Sequence, residues 1–195
     1  MITLFRTIIA ICIAISLQAG MSDATEVSPQ QAATDCMNRI AAMQEESMDR
    51  YAGNSYVNFL MHLKGDKETT QRMRDAIRKN FDWKIEAVEE RGNAAVAKVT
   101  VTQCDFSGVL KKYEKESYQY ITDHLYDEDT VNKKKLNAKC LDIYVSQIEK
   151  VAKAGKTEEQ TIYLPMRSNG YNGWNVELTD EAMQAVIGNL SIPEK

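Results

Sequence analysis

Proline and glycine are scarce in this chain: three and nine in 195 residues. An all-β secreted sandwich needs turn residues every few positions, so this shortage argues for long helices instead. Histidine is scarcer still, with only His62 and His124, and aromatics make up 8%. No Gly-rich phosphate loop, GxSxG elbow, HExxH helix or close cysteine pair occurs, which leaves the common nucleotide, hydrolase and zinc signatures unrepresented. Net charge is −4, and no concentrated basic face offsets it, which argues against a nucleic-acid partner. No cofactor is implied.

The start of the chain is its most informative stretch. Arg6 is followed by an uncharged run, Ile8 to Leu17, and then by small and polar residues through Ala24. A basic start, a short apolar run and a small-residue exit make a secretory signal peptide over residues 1–24. Cleavage is expected after Ala19 or Ala24, where Ser22-Asp23-Ala24 satisfies the small-x-small rule. The run is about half the ~20 residues a membrane-crossing helix needs, so membrane attachment arises only if the segment stays uncleaved. Cys12 lies inside the apolar run and no cysteine follows Ala19 closely, which disfavours lipid attachment. The address read here is secreted or periplasmic.

An oxidising compartment turns attention to Cys36, Cys104 and Cys140. One disulfide with one thiol left over is the expected arithmetic. Three pairings are open, and Cys104–Cys140 is favoured because it would tie a strand end to a neighbouring helix, with buried free cysteines as the alternative.

Residues 28–192 read as a single α+β domain. Ser28-Pro29 is a capped helix start. Ala33, Cys36, Met37, Ile40, Met43, Met48 and Tyr51 then recur near the helical period. Asn54 and Asp66 open further helices, the latter facing inward through Met73, Ile77 and Phe81. The period then switches to two. Trp83, Ile85 and Ala87 alternate with charged residues, Arg91-Gly92-Asn93 turns, and Ala95, Ala97, Val99 and Val101 line one face of a second strand. From Asp105, a seam runs through Phe106, Val109, Leu110, Tyr113, Ser117, Tyr120, Ile121, His124 and Leu125. Asp127 to Asn132 reads as a loop, with Asp129 or Thr130 capping another helix whose face is Leu136, Cys140, Ile143, Tyr144, Ile148 and Val151. This predicts a helical insertion over 105–154. A second hairpin follows, Thr161 to Arg167 and Trp174 to Leu178, around two Asn-Gly steps, and Thr179 or Asp180 caps a closing helix. The fold predicted is α+β, with N-terminal helices packed on a curved antiparallel sheet and a helical hairpin inserted between two β-hairpins.

The order Trp83-Lys84-Ile85-Glu86, Gly92-Asn93-Ala94, Val99-Thr100-Val101-Thr102 and Asp105-Phe106, with the late Gly173-Trp174-Asn175-Val176 and Glu181-Ala182-Met183, resembles the nuclear-transport-factor-two-like architecture. It resembles more narrowly its secreted or lipid-anchored bacterial members of unassigned function. The resemblance spans most of residues 34–190 and implies a sheet with a concave, often pocketed face. Two features depart from it: no lipobox cysteine is present, and the long helical hairpin interrupts the sheet. Catalytic members use an aspartate, or a histidine–aspartate pair, facing a tyrosine, which makes Asp105 and His124 the acid/base candidates and Tyr120 their partner. One fold hosts many functions, so activity does not follow.

The plainer roles are a helix cap for Asp105 and a boundary histidine for His124. Asp127-Glu128-Asp129 lacks the glycine and distant glutamate of a calcium loop. Tyrosines gather in the insertion, where Tyr113 and Tyr120 fall on the seam and Tyr118 and Tyr126 off it. Tyr118, Tyr120, Tyr126 and the strand residue Trp174 are the candidates for ligand or partner contact. Three readings remain: a non-enzymatic binding module for a protein or small apolar ligand, a pocket enzyme using Asp105 or His124, and a cell-envelope docking protein. A homodimer is among the partners this allows.

Overall fold

The computed structural model describes residues 27–63, 65–171 and 173–192, and for His62 the backbone only. The expected signal segment and its cleavage sites lie outside these residues.

Helix α1 (Pro29–Ala42) begins as its sequence demands: Ser28 accepts a hydrogen bond from Gln31 N at 3.1 Å, with Pro29 at the first helical position. It stops at Met43, in the left-handed region at φ 47°. The apolar period therefore runs past the helix. Met48 and Tyr51 lie in a separate turn, α2 (Glu45–Met48), and the 3-10 turn that follows it, yet both are buried. Asn54 caps α3 (Ser55–His62), and Asp66 caps α4 (Lys67–Arg78) through Thr69 N at 2.8 Å. Asp180 accepts from both Ser55 N (3.1 Å) and Ser55 Oγ (2.7 Å), while Asn54 Nδ2 donates to Leu178 O at 3.1 Å. These contacts hold the start of α3 against the start of α8 (Asp180–Val186).

Strands β1 (Asp82–Arg91), β2 (Ala94–Cys104), β3 (Thr157–Ser168) and β4 (Trp174–Val176) form one antiparallel sheet in chain order. A bulge in β1 between Ile85 and Ala87 corrects the expected alternation. The extra residue shifts the phase, so Val88 faces the core and Ala87 the solvent. One sheet face is uncovered, and Lys84, Glu86, Lys98 and Tyr163 stand on or beside it. Ala95, Ala97, Val99, Val101, Ile162, Leu164 and Met166 are buried on the other face, against α1 and α8. Helices α1 and α8 thus cover the sheet face that the resemblance implied to be concave.

Two buried devices lock the sheet end to the helices. Gln103 donates from Nε2 to Ile77 O and Val186 O, both at 3.0 Å, and accepts from Cys104 N at 2.8 Å. Gly188, at φ 60°, brings its carbonyl 2.7 Å from Phe106 N; a side chain there would collide with Cys104 O.

Between β2 and β3 stand α5 (Val109–Asp123), the single turn α6 (Glu128–Val131) and α7 (Lys133–Ala154). The insertion predicted between the two hairpins is therefore helical, with β2 and β3 paired directly at its base. Asn132, not Asp129 or Thr130, caps α7, accepting from Lys134 N at 3.0 Å. Gly155 ends it at φ 66°.

Candidate functional site

Burial divides the helical hairpin into two halves. In α5 the buried residues are Val109 and Ser117; in α7 burial begins at Tyr144 and continues through Val145, Gln147, Ile148 and Ala152. Nothing from Tyr118 to Ile143 is buried. The proximal half is thus a normal part of the core. Tyr113 meets Tyr144 edge to face at 5.4 Å between ring centres, and Tyr144 donates to Ser191 O at 2.8 Å. Burial pushes the Tyr144 phenol well above its usual value.

Polar ties brace the same region. Arg72 of α4 forks Glu149 of α7 at 2.9 and 2.7 Å and places its remaining nitrogen 2.9 Å from Asp142. Glu116 of α5 accepts from Gln147 Nε2 at 2.6 Å and pairs with Lys150 at 3.2 Å. These bonds fix where the hairpin leaves the body and leave its outer end free of the core.

A groove of about 430 Å³ opens where α4, α6 and α7 meet, lined by Asp66, Tyr120, Asp129, Lys135, Lys139 and Asp142 among others. Its charges are already engaged. Asp66 is held below the usual carboxylate range by the backbone and hydroxyl of Thr69. Asp129 pairs with Lys135 at 2.8 Å, and Asp142 pairs with Arg72. Lys139 Nζ sits 5.7 Å from the centre of the Tyr120 ring. Among the described residues, no group of three or more histidine, cysteine or acidic side chains could hold a metal ion.

The structure separates the residues proposed for acid/base chemistry. Asp105 is exposed and accepts from Ser107 N (3.0 Å) and Ser107 Oγ (2.9 Å), an Asx turn leading into α5. His124 closes the far end of that helix, with Nδ1 2.7 Å from Asp127 Oδ2 and its ring 4.6 Å from that of Tyr120. A 15-residue helix lies between them, a separation of about 20 Å at ~1.5 Å per residue. Asp105 therefore meets neither His124 nor Tyr120. His124, Asp127 and Tyr120 do come together, on an outer surface.

Trp174 packs against the core from the short edge strand β4. No disulfide joins Cys104 to Cys140 among the described residues, where Cys36, Cys104 and Cys140 all stand as free thiols. Cys104 points into the core, accepting from Asn80 Nδ2 at 3.3 Å. Cys140 lies on the hairpin seam beside the Tyr113 hydroxyl. Burial raises all three thiols above their usual value.

Tyr118 and Tyr126 are exposed, and two residues outside the contact candidates join them: Leu125 and Val131. The helical period places Leu125 on the seam of α5. Because α5 ends at Asp123, Leu125 falls in the turn and leaves that face. The signal available was the apolar pair Leu125-Tyr126 set directly before an acidic loop.

These features define an α+β domain with a one-sided antiparallel sheet and a projecting helical hairpin. The chain belongs to the family described as Domain of unknown function (DUF5105), whose model matches residues 29–190. Among solved structures it is similar to a Bacillus subtilis protein provisionally described as a lipoprotein (ycdA), at 14% identity and a TM-score of 0.42, over 85% of this chain and 52% of that one. The chain thus spans about half the length of that protein. No curated protein matches it.

Proposed function

We propose that this domain is a non-enzymatic interaction module working outside the cytoplasm, with the outer half of the helical hairpin as its contact surface. One observation carries the reading. Tyr118, Leu125, Tyr126 and Val131 are 73%, 51%, 92% and 74% exposed, and all four lie on that outer half. Single exposed apolar residues are ordinary, but a group of them on one projecting element marks an interaction site. The extracytoplasmic address rests on the signal pattern of residues 1–24. Kinship with the nuclear-transport-factor-two-like proteins enters at the level of element order.

The enzyme reading has less support. Asp105 is occupied by its turn, and the His124–Asp127–Tyr120 group lies on an open surface, with no enclosure to exclude water.

A photo-crosslinking residue placed at Tyr126, with a control at the exposed sheet residue Tyr163, tests this in the cells that make the protein. Crosslinks are expected from position 126 and not from 163. Equal yields at both sites, or none from 126, would overturn the assignment.

A further inference from the structure

Charge at the tip of the hairpin changes sign within one turn of chain. Asp127, Glu128 and Asp129 are followed, after Val131, by Lys133, Lys134 and Lys135, and all six are exposed. Asp127 is engaged by His124 and Asp129 by Lys135, both within the tip. Among the described residues Glu128, Lys133 and Lys134 take part in no ion pair.

The lysines are also badly placed for their own helix. Lys133 to Lys135 form the first turn of the 22-residue α7, which has no acidic residue there. The exposed N–H groups of that turn already carry partial positive charge, so added cations are locally unfavourable. Asp129 offsets this cost at Lys135, whereas Lys133 and Lys134 have no such partner among the described residues.

We infer that the tip docks against a second copy of this chain about a two-fold axis, Glu128 of each copy lying over Lys133 and Lys134 of the other and Leu125, Tyr126 and Val131 meeting between them. The inference rests on the interaction-module reading and names its partner. A two-fold contact requires one patch to complement itself. A patch carrying unpaired charges of both signs beside exposed apolar side chains does so, whereas a uniformly charged partner would gain on one half of the patch and lose on the other. The apolar side chains supply the buried centre and the charges set register and exclude wrong partners.

The test is a charge swap on the full chain as its cells process it, read by sedimentation velocity. One variant carries Lys133→Glu and Lys134→Glu; the other carries Glu128→Lys. Wild type is expected to be a dimer. Each variant alone should dimerise at least about tenfold more weakly, and an equimolar mixture should recover the wild-type sedimentation coefficient as a heterodimer. Acidic residues at the start of α7 favour that helix, so a monomeric lysine variant that keeps its helical circular dichroism has lost the contact and not the fold. A monomeric wild type at about 100 μM, far above the micromolar range of specific contacts, or a mixture that stays monomeric, overturns the inference. If position 126 still crosslinks a different protein in that case, the interaction-module reading stands and only the identity of the partner falls. If it crosslinks nothing, both fall.

Discussion

Arg72 grips Glu149 with two parallel hydrogen bonds, 2.9 Å from Nε to Oε1 and 2.7 Å from Nη2 to Oε2. This fork joins α4 to α7, elements far apart in the chain, and sets the direction in which the hairpin leaves the domain. Its geometry is the bidentate one that makes arginine–carboxylate pairs more specific than lysine pairs.

Glu149 is held below the usual carboxylate range, first by its hydrogen bond to Arg72. The folded state therefore binds this proton less readily than the unfolded state. The resulting stability is present at neutral pH and is lost as pH falls through the folded value of Glu149. Wild type should exceed Glu149→Gln in urea stability by about 1 kcal/mol at pH 7, kept small because both side chains are more than a third exposed. The gap should close below about pH 4. A gap that widens on acidification would contradict the assignment.

Gln103 is 2% exposed and satisfies two carbonyls and one N–H from three different elements. Gln103→Leu keeps the volume but strands all three groups. A loss of about 2–4 kcal/mol is expected in equilibrium unfolding. A loss under about 1 kcal/mol would show that water replaces the amide.

Gly188→Ala combines a left-handed backbone with a Cβ driven into Cys104 O and the Phe106 ring. Strain and overpacking together should cost about 2–5 kcal/mol. Gly92→Ala shares the positive φ but has open space around it, so it should cost only about 1 kcal/mol. Equal losses in the two variants would rule out the close approach at Gly188.

Thiol titration of the denatured, unreduced chain lacking residues 1–24 should count Cys36, Cys104 and Cys140 as free. In the native state Cys140 should react first, because Cys36 and Cys104 are at most 1% exposed. A count of one would restore the disulfide that the compartment argument favours.

Replacing Tyr118, Leu125, Tyr126 and Val131 together by serine removes the exposed apolar surface without touching a buried residue. Each change should alter monomer stability by no more than about 0.5 kcal/mol. A large drop in melting temperature for the monomeric charge variant carrying these serines would mean that the four side chains support the hairpin itself.

Elements were legible in this sequence wherever local chemistry decides them. Ser28-Pro29, Asn54, Asp66 and Thr179 cap helices because their side chains reach N–H groups within three residues. The strand alternation around Val99 and the helical insertion over 105–154 follow from local periodicity alone. Two readings failed because a single residue shifts the outcome: the bulge that moves Val88 inward in place of Ala87, and the end of α5 at Asp123, which releases Leu125.

The tertiary structure alone decided three things, each a matter of distance between residues far apart in the chain. It decided that α1 and α8 fill the inner face of the sheet, that Asp105 and His124 stand at opposite ends of α5, and that Cys104 meets Asn80 and not Cys140. Periodicity shows which face of a helix is apolar, but not how much of that face finds a partner. Whether Tyr120 and Ile121 are covered depends on where the rest of the chain stops. Full burial stops at Ser117 and Tyr144, and beyond them only partly covered side chains such as Leu141 reach the core.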